Sequence, residues 1–137
     1  MRKIIFLLLS TLLFANPTQS EKKIFQTILK ALFPQKSVIK IYTNHPNVDL
    51  LHSPSKDIYI SSKEDADILI LEFDEPLHTD KPVFVRKYQL LKKYKNQAIG
   101  GFYWQKGRPN IIFLKNNLKK YNFTLPESFN TYIEDQL

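Results

Sequence analysis

The run Ala66-Asp-Ile-Leu-Ile-Leu-Glu-Phe73 constrains this chain more than any other segment. Ile68 to Leu71 are large aliphatic residues in unbroken succession, with no polar face among them. A strand with one wet face alternates apolar and polar residues, whereas a strand buried on both faces does not. The run therefore predicts a central strand with parallel neighbours, covered on both sides, and that in turn demands an α/β arrangement.

The flanking sequence supplies the remaining elements. From Glu21 to Phe33, Ile24, Ile28 and Leu32 recur every four residues, with Phe25 and Leu29 beside them and Lys22, Lys23, Gln26 and Lys30 opposite. This is the pattern of an amphipathic helix, ended by Pro34. Val38 to Thr43, Asp57 to Ser61 and Pro82 to Val85 read as strands. Asn44 to Ser55 reads as a loop with one helical turn near Val48 to Leu51. Ser61-x-x-Glu64 is a capping box that predicts a further helical turn, and Asp74 to Lys81 is a turn-rich loop. A short helix follows over Tyr88 to Lys95. Ala98 to Gln105 and Asn110 to Lys115 then form a hairpin around Lys106-Gly107-Arg108-Pro109, in which Gly107 supplies positive φ. Asn116 or Asn117 is expected to cap a helix through Tyr121. Thr124-x-x-Glu127, with Pro126 in its first turn, is expected to open a final helix packed through Phe129 and Ile133. The sum is a single compact α/β domain. Its mixed sheet is parallel at the centre, ends in a C-terminal antiparallel hairpin, and is flanked by short helices.

The chain begins MRKIIFLLLSTLLFANP. Arg2 and Lys3 precede an apolar run from Ile4 to Phe14, broken only by Ser10 and Thr11. This is the layout of a secretory signal peptide, with a cut expected after Ala15 or after Ser20. An uncleaved anchor is the other reading of the same run. Residues 1–20 are thus assigned to the signal and 21–137 to the domain, which would be exported to the periplasm. The chain has no cysteine, so neither a disulfide nor a thiol-linked lipid is available to it.

Twenty basic residues against thirteen acids give a net charge of +7, which falls to +5 without Arg2 and Lys3. That excess suits an anionic membrane surface or an acidic protein as well as it suits nucleic acid. Gly100 to Phe123 interleaves aromatic rings with Lys and Arg, as single-strand binding platforms do. The rings fall mainly on the hairpin strands, however, where aromatics serve a core. Ile99-Gly100-Gly101-Phe102-Tyr103 also lacks the RNA-binding signature. With export, nucleic acid is not expected as a partner.

No recognised catalytic or cofactor motif is present: the sequence has no G-x-S-x-G, HExxH or phosphate-binding loop. No enzyme activity and no cofactor are expected. A hydrolase built on the carboxylates would need a paired base or nucleophile, and none can be named. The histidines are His45, His52 and His78. A metal site would require His78 to fold against the His45–His52 loop, and no spacing indicates that it does. The candidate binding residues are Glu72, Asp74, Glu75 and His78, with Lys106 and Arg108 at the hairpin tip. The first four follow the central strand and should emerge at the carboxyl end of the sheet, where open α/β folds bind ligands. They suit a small solute, or else form an ordinary solvated loop.

The order of elements, with Ile99-Gly100-Gly101-Phe102, Gly107-Arg108 and Asn117-Leu118 in sequence, resembles the YfiR-like family of small periplasmic regulators. The similarity covers most of residues 21–137 in outline, and Pro82 to Ile133 more closely. It implies an α/β periplasmic domain that represses a membrane-bound signalling protein, such as a diguanylate cyclase, by docking on it. Self-association is compatible with that role. Two departures stand out: loops replace helices at Asn44–Ser55 and Asp74–Lys81, and the family's cysteines are absent, which removes any thiol-based response.

Overall fold

The computed structural model describes residues 17–45 and 57–137. Helix α1 (Pro17–Leu32) leads into strands β1 (Ile39–Thr43), β2 (Ile58–Ile60), β3 (Ile68–Leu71) and β4 (Val83–Val85). Helix α2 (Tyr88–Lys93) precedes the hairpin strands β5 (Ala98–Gln105) and β6 (Arg108–Leu114). Helix α3 (Lys115–Lys120), a 3₁₀ helix (Glu127–Tyr132) and the two-residue strand β7 (Ile133–Glu134) follow. The strands form one sheet in the order β2-β1-β3-β4-β5-β6-β7. Every neighbouring pair is parallel except the β5–β6 hairpin.

All four residues of β3 are buried, as its unbroken apolar run requires. Successive side chains leave a strand on opposite faces, and β3 accordingly feeds two cores. Ile68 and Ile70 meet Phe25, Ile28 and Leu29 of α1, while Leu69 and Leu71 meet Leu90 and Leu91 of α2. The hairpin rings join the same cores. Phe102 and Phe113 are fully buried on the α1 side, and Tyr103 is buried on the α2 side. The rings of Phe25 and Phe102 lie 5.3 Å apart.

Ile99-Gly100-Gly101 owes its composition to close approach. The register between β4 and β5 shifts between Val83 and Phe84, so that β5 carries an extra residue. Beyond the shift, a Cβ on Gly100 would strike the Ile112 carbonyl oxygen, and one on Gly101 would lie 3.0 Å from that of Val85. At the hairpin tip, Lys106 (φ 54°) and Gly107 (φ 74°) form the two-residue turn that the strand twist favours.

Several local expectations need correction. Helix α1 starts at Pro17, four residues earlier than the apolar spacing indicates. The Ser61-x-x-Glu64 segment forms a turn rather than a helix, with Asp65 N–H donating to Ser62 Oγ at 3.3 Å. Neither Asn116 nor Asn117 caps α3. The N-cap is Leu114, and Asn117 is buried inside the helix, donating to the carbonyls of Lys95 (2.8 Å) and Ala98 (2.7 Å). The final helix is a 3₁₀ helix, and Ile133 pairs with Phe113 as part of β7. The hairpin is therefore not the sheet edge. Residues 46–56, with the expected turn at Val48–Leu51 and His52, lie outside the described residues, as does the run Ile4–Phe14.

Candidate functional site

The order β2-β1-β3-β4-β5 reverses direction between β1 and β3, and in sheets of this type the crevice beyond the strand ends at that reversal is the usual ligand site. Asn44 follows β1, and Glu72 to Glu75 follow β3. Asn44 bridges the gap itself. Its Oδ1 accepts the N–H groups of Glu72 (2.7 Å) and Phe73 (3.1 Å), and its Nδ2 donates to the Phe73 carbonyl and to Glu75 Oε1, both at 2.8 Å. The side chain takes the place of a backbone ladder where the two strands part.

On the α1 side of this junction a chain of polar contacts runs along the carboxyl edge of the sheet. Arg86, immediately after β4, is anchored by its N–H to the Leu71 carbonyl at 2.8 Å. Its side chain is 6% exposed and lies 5.0 Å over the Phe25 ring. Nη2 donates to Glu21 Oε2 of α1 at 2.8 Å, and Nη1 stands 3.5 Å from Glu72 Oε1. Trp104 Nε1 donates to the other Glu21 oxygen at 2.7 Å. His45 Nε2 lies 3.2 Å from Glu72 Oε1, and Lys87 Nζ approaches Glu72 Oε2 at 4.0 Å. Trp104, Glu21, Arg86, Glu72 and His45 thereby tie β5, α1, β4, β3 and β1 together at one edge.

On the α2 side, Glu75 accepts hydrogen bonds from Tyr42 (3.0 Å) and Asn44 and pairs with Lys63. Burial would raise its carboxyl, but these partners outweigh burial and hold it below the ordinary value. Burial and the Glu75 hydrogen bond push the Tyr42 hydroxyl up. Asp74 accepts from Lys93 and Tyr94, and those bonds hold it low as well.

The candidate residues therefore divide. Glu72, Asp74 and Glu75 share the carboxyl edge, but each is engaged by cations or hydroxyls of its own chain. His78 is exposed and lies apart from His45, at a cavity of about 280 Å³ lined by Lys63, Leu69, Leu77 and Lys81. Lys106 and Arg108 are exposed at the hairpin tip. Among the described residues no three His, Cys, Asp or Glu side chains are placed to hold a metal ion. Sequence reading missed Asn44, Arg86, Glu21 and Trp104 Nε1 as site members. Arg86 alone left a signal, as a charged residue directly after a short apolar strand.

No protein-family model matches the chain, and no curated protein matches it significantly.

Proposed function

We propose that this chain is an exported, non-enzymatic binding protein of the periplasm, which regulates a membrane protein by docking on it. One observation carries this reading: the crevice where a sheet of this order would receive a ligand is occupied by the chain's own ion pairs. Carboxylates already neutralised in this way have little left to offer a solute or a reacting group, since a ligand would have to displace each partner. Two aromatic rings stand exposed at the rim among its charged side chains: Phe73 is 48% exposed on the loop after β3, and Tyr88 is 40% exposed at the start of α2. Exposed aromatics beside a rigid edge suit a protein partner.

The similarity to YfiR-like regulators supports the same reading and suggests the partner's class, a membrane signalling protein such as a diguanylate cyclase. Docking would favour the partner's less active state, a population shift that needs no chemistry in this chain. The test is a photo-crosslinking side chain placed at Phe73 or Tyr88 in cells. The expected result is a discrete adduct with one membrane protein, absent when the same side chain stands at Ser37 on the opposite edge. Adducts of equal yield from all three positions, or from none, would overturn the proposal.

A further inference from the structure

Toward the C-terminal end of the sheet, α1 and the 3₁₀ helix do not close fully over β6. Strand β7 pairs with β6 only at Phe113 and Leu114. The 3₁₀ helix before it packs on β6 through Phe129, whose ring lies 5.9 Å from that of Phe113. Ile111 is left half-buried, and a cavity of about 300 Å³ opens between α1, β6 and the 3₁₀ helix. Burial is graded across its lining. Ile28 and Phe129 are buried at the floor, Ile24 and Ile111 are half-buried walls, and Lys23, Thr27 and Tyr132 are exposed at the mouth. Helical spacing builds the α1 side, since Lys23 and Thr27, like Ile24 and Ile28, stand four residues apart in one row. The Tyr132 ring, 6.2 Å from that of Phe129, braces the other side. None of the side chains joined at the carboxyl edge lines this cavity.

We infer that the cavity binds a small amphiphile with an apolar tail and one carboxylate: the tail lies on Ile24, Ile28, Ile111 and Phe129, and the head meets Lys23. Charge fixes the head. Lys23 is the one charged residue of the lining, no acid lines the cavity, and among the described residues Lys23 is held in no ion pair. The Thr27 hydroxyl is already engaged, donating to the Lys23 carbonyl at 2.8 Å. Size fixes the tail. Ligand cavities run from about 300 to 1,000 Å³, so this one suits a medium chain or a single ring rather than a long acyl chain.

The probes are hexanoate, octanoate and octylammonium, titrated into the isotope-labelled full chain and followed through its amide resonances. The expected result is saturable shifts with octanoate, confined to Lys23–Ile28, Ile111 and Phe129–Tyr132. Hexanoate, two methylenes shorter, should bind about tenfold more weakly. Octylammonium carries the same tail with the opposite charge and should bind more weakly than octanoate. Lys23→Gln should weaken octanoate about fivefold and leave octylammonium no weaker, the size expected of one exposed ion pair. Thr27→Phe adds a ring at the mouth, on an exposed helix position, and should block both ligands while the unfolding midpoint is kept. Equal affinity for octanoate and octylammonium, or octanoate binding unchanged by Lys23→Gln or by Thr27→Phe, would overturn the proposal. Shifts spread over the whole molecule, or none, would overturn it as well. Shifts at these same residues on raising the protein concentration alone would give the cavity to a second copy of the chain, and that too would overturn it.

Discussion

Arg86 shows how much a single side chain can organise. It is nearly sealed from solvent, yet it faces two carboxylates brought from α1 and β3. Removing one member of a buried ionic group leaves the others uncompensated, whereas replacing the group together is far milder. Arg86→Met should therefore cost about 3 kcal/mol, and adding Glu21→Gln to it should recover part of that loss. Urea unfolding of the single and double variants measures both. Asn117 plays a comparable part with no charge. Asn117→Ala would take this donor from the buried Ala98 carbonyl and the half-buried Lys95 carbonyl, and a loss of about 1–3 kcal/mol is expected. Asn117→Asp should do no better, because the carboxylate has no proton to give. The Asn-Leu pair looked like a helix start because Asn favours N-caps. Its true partners lie 19 and 22 residues upstream, at a distance no local pattern encodes.

Among the elements, the strands were the most legible. The apolar run of β3 and the two hairpin strands follow from local chemistry and appear where the residues place them, but the turn is Lys106-Gly107 alone, with Arg108 and Pro109 already in β6 rather than in the connection. The weaker expectations fail for one physical reason. Capping boxes at Ser61 and Thr124 specify only a first turn, and neither segment has an apolar stripe long enough to continue an α-helix. Strand β7 is two residues long and owes its existence to its neighbour β6. The site was legible only in part. The acids after β3 could be placed at the carboxyl edge, but their neutralisation depended on partners from four other segments: the end of β1, the turn at Lys63, Arg86 and Lys87 after β4, and the end of α2. Two expectations belong at this scale. Gly100→Ala should destabilise the hairpin by forcing the β5 and β6 backbones apart, seen as faster amide exchange through Ile111–Phe113. The Asp74–Glu75 loop should respond to acid. Both carboxyls are held low in the folded chain, so their contribution is full above the unfolded value of about 4 and is lost as pH falls through the lowered folded values. Glu75→Gln should accordingly flatten the fall of the urea midpoint below about pH 4.

For the molecule as a whole, its charge matters more than its rings. With Phe102, Tyr103 and Phe113 committed to the cores, no run of exposed bases could stack along the hairpin, and what remains for a polyanion is diffuse positive charge. Binding to a single-stranded oligonucleotide should therefore be weak and independent of sequence, and should fall steeply as salt rises, which a fluorescence-anisotropy titration would show. The contact between Glu21 and Arg86 bears, finally, on where a cut would fall if residues 1–20 are a cleaved signal, as the proposed export requires. A cut after Ser20 would make Glu21 the first residue and set a new ammonium group beside the guanidinium. It would also place that positive charge at the positive end of the helix dipole and remove a turn of α1. A cut after Ala15 leaves the whole helix and its carboxylate untouched. On the proposed export, a cut after Ala15 would be the compatible one: it would leave α1 whole, whereas a cut after Ser20 would leave a flaw at the busiest edge of the domain.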